Sequence, residues 1–169
     1  MQIKNFRPLV AIAMASIALA LSGCANSPLD HGGEDIAAIG PAHVLAGEDR
    51  GGERVIWGGQ IAEVNPGDGY TELRIISYPL DRSDRPRWRE QPGVTFVVRQ
   101  PGFLEPVLYA PGRFISVLGN NQGLVERQRD DALMALPMLM AESLHLWPVD
   151  PRTWQDSPIR VGIGVGIRL

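Results

Sequence analysis

Apolar and polar residues alternate along several short stretches in the middle of the chain. Between residues 70 and 78, Leu73 and Ile75 fall on one face of an extended chain, and Glu72 and Arg74 fall on the other. This is the pattern of a half-buried β-strand. Similar stretches lie at residues 54–64, 94–99, 113–126 and 141–147, and residues rich in Gly, Pro and Asn separate them. The pattern predicts five strands.

Two stretches are harder to assign. Residues 119–123 are Gly-Asn-Asn-Gln-Gly and interrupt the predicted fourth strand. Residues 133–140 fit either a helical turn or an extended chain, although Pro137 argues against a long helix.

Five strands between residues 54 and 148 favour a mainly β domain, and a small five-stranded OB-like barrel fits best. Gly58, Gly59 and Gly119 would supply the bends that such a small barrel needs. A two-sheet β-sandwich is the alternative.

The amino terminus has the three parts of an export signal. Lys4 and Arg7 precede an apolar run at residues 9–21, and two small residues follow it. The run is 13 residues long, whereas a helix that spans a bilayer needs about 20. We therefore expect residues 1–23 to be a signal peptide that is removed.

Leu21-Ser22-Gly23-Cys24 resembles the lipobox of bacterial lipoproteins. The resemblance implies that Cys24 carries an S-diacylglycerol and, after cleavage, an N-palmitoyl group. Cys24 is the only cysteine, and a thiol is a strong nucleophile for such a modification. Ala25 takes the place of the aspartate that retains lipoproteins at the inner membrane, which implies an outer-membrane address.

The segments that flank the β-domain have no sustained strand or helix period. Residues 24–53 are rich in glycine, and we expect a flexible, lipidated tether there. Residues 149–169 form a tail in which glycines alternate with Val161, Ile163, Val165 and Ile167. Extended, this tail would place its apolar side chains on one face, and it predicts a strand that adds a docking edge.

The charge balance disfavours nucleic acid as a partner. The whole chain has a net charge of −3; loss of Lys4 and Arg7 leaves 14 arginines against 19 acidic residues, a net charge of −5. General attraction to a polyanion is not expected of an acidic chain.

The β-domain resembles the Slp family, the starvation-inducible lipoproteins of the bacterial outer membrane. The resemblance lies in the order and spacing of short motifs over residues 54–148: Gly58-Gly59 with Ile61, Leu73, Tyr78-Pro79-Leu80-Asp81, Gly102-Phe103-Leu104-Glu105-Pro106, Tyr109, Gly112, Val117-Leu118-Gly119, Gly123 and Leu146-Trp147-Pro148. It implies a lipid-anchored outer-membrane protein that faces the periplasm, linked to stress or starvation, with a structural or interaction role. It carries over no catalytic residue.

We accordingly expect a non-enzyme with no catalytic residues, no cofactor and no metal. The expected partner is outer-membrane lipid, bound through acylated Cys24, with an envelope protein or lipopolysaccharide as further candidates and no nucleic acid. The alternative is a ligand-binding module that holds a glycan or a lipid headgroup on the barrel face. The sequence leaves the oligomeric state open.

Three groups of side chains are candidates for a catalytic, metal or phosphate site. The histidine that a Ser-His-Asp triad would need is His145, which we interpret as an ordinary strand residue. Asp30, His31, Glu34 and Asp35 could hold a divalent ion only loosely, because Gly32 and Gly33 lie between them.

The third group is the loop at residues 81–90. It contains four arginines and Trp88, which could grip a phosphate, although we interpret it mainly as a solvated loop with local ion pairs. Residues 102–106 could cap the barrel end with Phe103 or Leu104, or present these side chains to a partner; capping is the expectation, because exposed apolar loops are usually tucked in. Trp147 is predicted to be a buried core residue.

Overall fold

The computed structural model describes residues 27–31, 35–48, 51–129 and 132–154. Its strands are β1 (Arg54–Pro66), β2 (Tyr70–Ser77), β3 (Thr95–Pro101), β4 (Phe114–Arg129) and β5 (Ala132–Leu146). A short helix, α1 (Pro41–Leu45), precedes the strands, and a 3-10 turn at Pro151–Thr153 follows them.

The five strands close into a barrel in the order β1-β2-β3-β5-β4. Neighbouring strands are antiparallel except β3 and β5, which pair in parallel from Val97 opposite Met138 to Arg99 opposite Met140. This is the arrangement of a five-stranded OB barrel. The predicted OB-like barrel is confirmed, and the sandwich alternative is wrong because one sheet closes on itself.

The last two strands are longer than the sequence pattern indicates. β4 continues through residues 119–123, and two register shifts against β5 absorb the irregularity there. Asn121 is fully buried at this point, and its side-chain oxygen accepts a hydrogen bond from Gly123 N–H at 3.0 Å. Residues 133–140 are extended, so they and the predicted fifth strand form a single strand, β5.

The barrel interior is filled by side chains from alternate positions of all five strands. The indole of Trp57 and the ring of Phe96 meet edge to face, with centroids 5.3 Å apart. The other fully enclosed members are aliphatic: Val55, Ile61, Leu73, Ile75, Val98, Ile115, Val117 and Leu139. A core of this density leaves little room for added atoms.

Each end of the barrel is closed by a segment outside the strands. Val44 of α1 is fully buried against one end. At the other end, the loop between β3 and β4 inserts Tyr109 and Leu104. This confirms the expected capping by Leu104, whereas Phe103 points outward with 69% of its surface exposed.

The segment before the barrel is packed on it rather than free. Trp57 donates its indole N–H to the Ile39 carbonyl at 2.6 Å, and Ala37 N–H bonds the Arg54 carbonyl at 2.9 Å. Leu29 is buried as well. The expected flexible tether at residues 24–53 is therefore not what the described residues 27–31 and 35–48 form, because their few apolar side chains find space on the barrel.

A second apolar cluster lies outside the barrel. Phe114, Trp147 and Trp154 are buried together, and Tyr78 and Trp88 pack against them. The indole N–H of Trp147 donates to Ser116 Oγ at 2.9 Å. Burial of Trp147 is thus confirmed, and the described part of the tail, to Trp154, belongs to the fold. The alternating strand expected at residues 160–168 lies outside the described residues.

Gly59 marks a close approach of two strands. A Cβ atom at Gly59 would overlap the carbonyl group of Ile76 on β2. A Cβ atom at Gly40, by contrast, would lie 3.6 Å from His43 Nδ1, an ordinary contact.

Gly59→Ala is expected to lower the free energy of unfolding by about 1–3 kcal/mol, since the paired backbones must move apart. Gly40→Ala is the matched control and should change it by less than about 1 kcal/mol. Thermal unfolding of the two purified variants checks this. Equal melting temperatures for both would show that β1 and β2 do not approach as closely as described.

Candidate functional site

The arginine-rich loop between β2 and β3 is anchored by its own acidic side chains. Asp81 Oδ1 accepts hydrogen bonds from the backbone N–H groups of Ser83 and Arg85, at 2.8 and 3.1 Å. The hydroxyl of Ser116 on β4 donates to the carbonyl of Asp84. The loop is therefore fixed across the outside of the barrel.

Its arginines differ in their partners. Arg87 pairs with Glu90 at 3.0 Å, and Arg85 lies 3.8 Å from Asp81 while its guanidinium sits over the Trp147 ring at 5.4 Å. These are the local pairs that the sequence indicates. Arg89 instead lies over the Trp88 ring, 4.7 Å from the centroid, and makes no ion pair with the described residues.

A cleft of about 420 Å³ opens beside this loop. One wall is formed by residues 85–90, and the other by Arg152 and Trp154 from the segment after β5. We call it the arginine–tryptophan cleft. It gathers four guanidinium groups and two indoles on one surface, and the segment after β5 contributes residues that the sequence did not link to the loop.

The opposite side of the barrel carries a compact charge cluster on the β2–β3 face. Arg127 of β4 reaches Glu72 of β2 with two hydrogen bonds, at 2.9 and 2.6 Å. Arg99 of β3 lies 3.4 Å from the same carboxylate and over the ring of Tyr70, 4.5 Å from its centroid. A pocket of about 330 Å³, next to the β1–β2 turn, is lined by these four side chains.

The hydrogen bonds from Arg127 hold the pKa of Glu72 below its usual range, against an opposing effect of burial; the charge of Arg127 and the hydrogen bond and charge of Arg99 add to the lowering. Glu72 is thus ionised at neutral pH and ties the β4–β5 hairpin to the β2–β3 face. OB folds use this face, flanked by the loops between strands 1–2 and 4–5, to bind oligonucleotides and oligosaccharides. Here part of the face is occupied by the chain's own Arg127.

An apolar groove of about 720 Å³ lies between the packed amino-terminal segment and the barrel. Residues 36–43 form one side, and Trp57, Tyr78 and Leu80 are on the other. Asp84 of the β2–β3 loop lines this groove, so the loop that forms one wall of the arginine–tryptophan cleft also bounds the groove.

The remaining candidate residues that the structure describes contact neighbouring side chains of the fold. His31 lies 3.1 Å from Asp84 Oδ2 and 3.2 Å from Ser27 Oγ, and no group of three metal-binding side chains occurs within the described ranges. Glu34 lies outside those ranges. His145 packs edge-on against Trp147, with centroids 4.4 Å apart, and burial lowers its pKa. Cys24 lies outside the described residues.

Sequence reasoning missed the Glu72–Arg127 pair and the contribution of Trp154 to the cleft. Glu72 and Arg74 follow the alternation of an exposed strand face, and nothing local signals that Arg127 returns to it from β4. Trp154 follows the Trp-Pro pair at which the sequence pattern predicts the end of the domain, yet only 4% of its surface is exposed.

The fold and the position of the anchor sequence define a small OB-barrel domain carried by a lipoprotein. The model of the outer membrane lipoprotein Slp family matches residues 21–161, and the chain belongs to this family. It is an outer-membrane lipoprotein. The match is wider than the resemblance at residues 54–148, and it includes both the cysteine and the packed segment after β5.

Outer membrane protein Slp of Escherichia coli (strain K12) is 30% identical to the chain over 111 residues, which are 64% of this chain and 58% of that protein. The match therefore spans less than two thirds of that relative's length. Within the described residues, no helix is long and apolar enough to cross a membrane.

Solved structures with a similar shape come from other contexts. The mitochondrial single-stranded DNA-binding protein Rim1 of S. cerevisiae has a TM-score of 0.35 at 19% identity, covering 56% of this chain and 94% of its own. The small single-stranded DNA-binding protein of Streptomyces coelicolor has a TM-score of 0.37 at 15% identity, with the same coverages. The assignment of the barrel rests on its strand order, not on these likenesses.

Glu72→Gln is expected to destabilise the protein at pH 7, because the neutral amide loses the charge-assisted bonds to Arg127. A carboxyl whose pKa is lowered by folding stabilises the fold above its unfolded pKa, here 4.5, and that stabilisation disappears as the pH falls through the folded pKa. The melting temperatures of parent and variant should therefore converge below pH 4.5.

Glu63→Gln is the control, because Glu63 pairs with Arg74 at 3.0 Å but its side chain is 49% exposed. Exposed pairs contribute about 0–1 kcal/mol. Melting curves from pH 3 to 8 distinguish the two variants. A Glu72→Gln protein that melts like Glu63→Gln at every pH would show that the hairpin is not tied through Glu72.

Proposed function

We propose that the protein is anchored through acylated Cys24, faces the periplasm and acts as a structural or interaction module held against the outer membrane. The observation that carries this proposal is the packed amino-terminal segment. Because Leu29 is buried and His31 bonds Asp84 of the β2–β3 loop, the folded part of the chain begins within a few residues of Cys24.

The distance follows from chain geometry. Cys24 precedes Ser27 by three residues, and three residues can span at most about 11 Å. Each buried methylene of an acyl chain contributes about 0.8 kcal/mol to membrane binding, so two or more chains hold the protein firmly. A short link and a firm anchor keep the barrel at the level of the headgroups, whereas a flexible tether over residues 25–53 would let it drift about 30 Å.

The proposal assigns no enzymatic activity. Its support is the family, which is one of membrane lipoproteins, together with the structural surroundings of His145. A link to starvation or stress stays a prediction from the family resemblance, and transcript levels on nutrient depletion would measure it.

Cys24→Ser is expected to leave the precursor uncleaved, unlipidated and absent from the outer-membrane fraction, because a serine hydroxyl does not replace the thiol as nucleophile. Ser22→Ala, which keeps a small residue in the lipobox, is the matched control and should fractionate normally. Mass spectrometry of the mature amino terminus and membrane fractionation measure both. Normal fractionation of the Cys24→Ser protein would contradict the anchor.

A second candidate function is binding of a glycan or a lipid headgroup on the β2–β3 face, favoured by the 330 Å³ pocket with Arg99 and Tyr70. A ligand at 100 times its dissociation constant raises the free energy of unfolding by about 2.7 kcal/mol. Peptidoglycan fragments or lipopolysaccharide should then raise the melting temperature of the parent but not of Arg99→Gln. An unchanged melting temperature with both would favour the structural role alone.

A further inference from the structure

We propose that the arginine–tryptophan cleft binds the headgroup phosphate of an anionic glycerophospholipid in the leaflet that holds Cys24. The inference deepens the proposed function and rests on its anchor. It concerns a surface other than the β2–β3 face, and it names the ligand class and the residues that would hold it.

Arg89 is the arginine of the cleft whose N–H donors are available for a ligand. Its guanidinium carbon lies over the Trp88 ring, 4.7 Å from the centroid, and the side chain has no ion pair among the described residues. A contact with the ring face uses none of the guanidinium N–H donors for an oxygen acceptor. Those donors form a rigid fork that matches two oxygens of a phosphate.

Two of the other arginines of the cleft are in ion pairs at its exposed surface. Arg87 pairs with Glu90, and both side chains are about half exposed. Arg152 lies 3.4 Å from Asp150 and is 80% exposed. Exposed pairs of this kind contribute about 0–1 kcal/mol, so a phosphate can compete for either arginine at little cost.

The charges leave a local excess. Four guanidinium groups line the cleft, and the carboxylates that pair with three of them are Asp81, Glu90 and Asp150. The remaining positive charge is that of Arg89, and a singly charged headgroup phosphate would neutralise it.

The indoles give the cleft a fixed and partly apolar wall. Trp154 is 4% exposed, packs against Phe114 with centroids 5.3 Å apart and donates its N–H to the Pro148 carbonyl at 3.0 Å. Trp88 packs on the same cluster. A preorganised aromatic wall beside cations suits the boundary between headgroups and acyl chains, where tryptophan is enriched.

The position of the cleft selects a membrane phosphate over a dissolved one. The loop at residues 81–90 forms the cleft on one side, while its Asp84 bonds His31 at 3.1 Å on the other. His31 in turn bonds Ser27, three residues from Cys24. The cleft and the anchor are thus attached to one loop, and an anchored molecule brings the cleft to the headgroups.

The test titrates the membrane-extracted, lipidated protein in nonionic detergent with glycerophosphoglycerol, the soluble headgroup of an anionic phospholipid. The indole N–H resonances of Trp88 and Trp154 should shift with saturation. That of Trp57, which is enclosed in the barrel and bonded to Ile39, should not move.

Arg89→Gln should weaken binding about tenfold, equivalent to about 1.4 kcal/mol. Arg82→Gln removes the same charge from an exposed position of the same loop outside the cleft, and it should bind like the parent. Arg89→Lys keeps the charge without the planar fork, and its affinity should fall between those of Arg89→Gln and Arg82→Gln. The melting temperature of each variant is measured alongside, so that a loss of binding through misfolding is recognised.

Glycerophosphocholine, whose headgroup carries no net charge, should bind more weakly than glycerophosphoglycerol. The proposal is overturned if Arg82→Gln weakens binding as much as Arg89→Gln, if inorganic phosphate binds more tightly than the headgroup, or if only peptidoglycan fragments shift the two resonances. Absence of binding with normal outer-membrane fractionation overturns this site alone, whereas the fractionation of Cys24→Ser tests the anchor separately.

Discussion

The hydrogen bond from the Trp57 indole to the Ile39 carbonyl joins the barrel core to the segment that leads to the anchor sequence. Trp57 is held in the core by burial and by its edge contact with Phe96, so its N–H points in a fixed direction. A buried indole N–H without an acceptor would cost roughly 1–3 kcal/mol. The chain before β1 supplies that acceptor, and Val44 and Ile39 of the same segment pack against the barrel core. The closed core and the packing of the segment before β1 therefore depend on one another.

The outer surface of the barrel is divided by the segments that cover it. The β2–β3 loop crosses β1 and β4, where Leu80 comes close to Gly58 and Ser116 bonds the Asp84 carbonyl. On the other side, the β4–β5 hairpin is tied to β2 through Arg127 and Glu72. Loop and hairpin are both held by charged or polar side chains of the barrel wall. The consequence is that the two candidate binding surfaces lie where covering segments meet the wall, rather than on the bare sheet.

The barrel could be predicted from the sequence because its signals are local. The alternation of Leu73 and Ile75 with Glu72 and Arg74 has the strand period, and paired glycines such as Gly58 and Gly59 mark the places where strands bend closely together. The packing of the amino-terminal segment could not be predicted in the same way. Its apolar residues, Ala37, Ile39 and Val44, have no period, and only the folded barrel offers them a surface.

The sequence predicts which residue types could form a binding site, but not which of them come together in the fold. The loop at residues 81–90 stands out by its arginines and Trp88, and two of its arginines pair locally, as its sequence indicates. That Arg89 keeps no carboxylate among the described residues, and that Trp154 and Arg152 complete a cleft around it, depends on contacts between residues more than 60 positions apart. Glu72 and Arg127 are likewise separated by 55 positions. The sequence pattern identifies side chains that could bind a ligand, whereas the topology of the barrel decides which of these side chains contact one another.

The net charge of the mature chain and the charge of the cleft have opposite signs. The proposed anchor would hold the protein at the membrane despite the negative net charge. A chain of net charge −5 would be repelled by an anionic surface at long range, but charges are screened beyond about 8 Å at physiological ionic strength. In the proposed arrangement, acylation of Cys24 supplies the binding energy, so the cleft does not need to recruit the protein. With Ser27 held within about 11 Å of the proposed anchor, the cleft would meet headgroups at a high effective concentration, and even a weak phosphate contact would be occupied much of the time. Such a contact contributes little affinity, but it fixes which side of the barrel faces the membrane. In this proposed orientation, the β2–β3 face, on the opposite side of the barrel, would be turned away from the membrane.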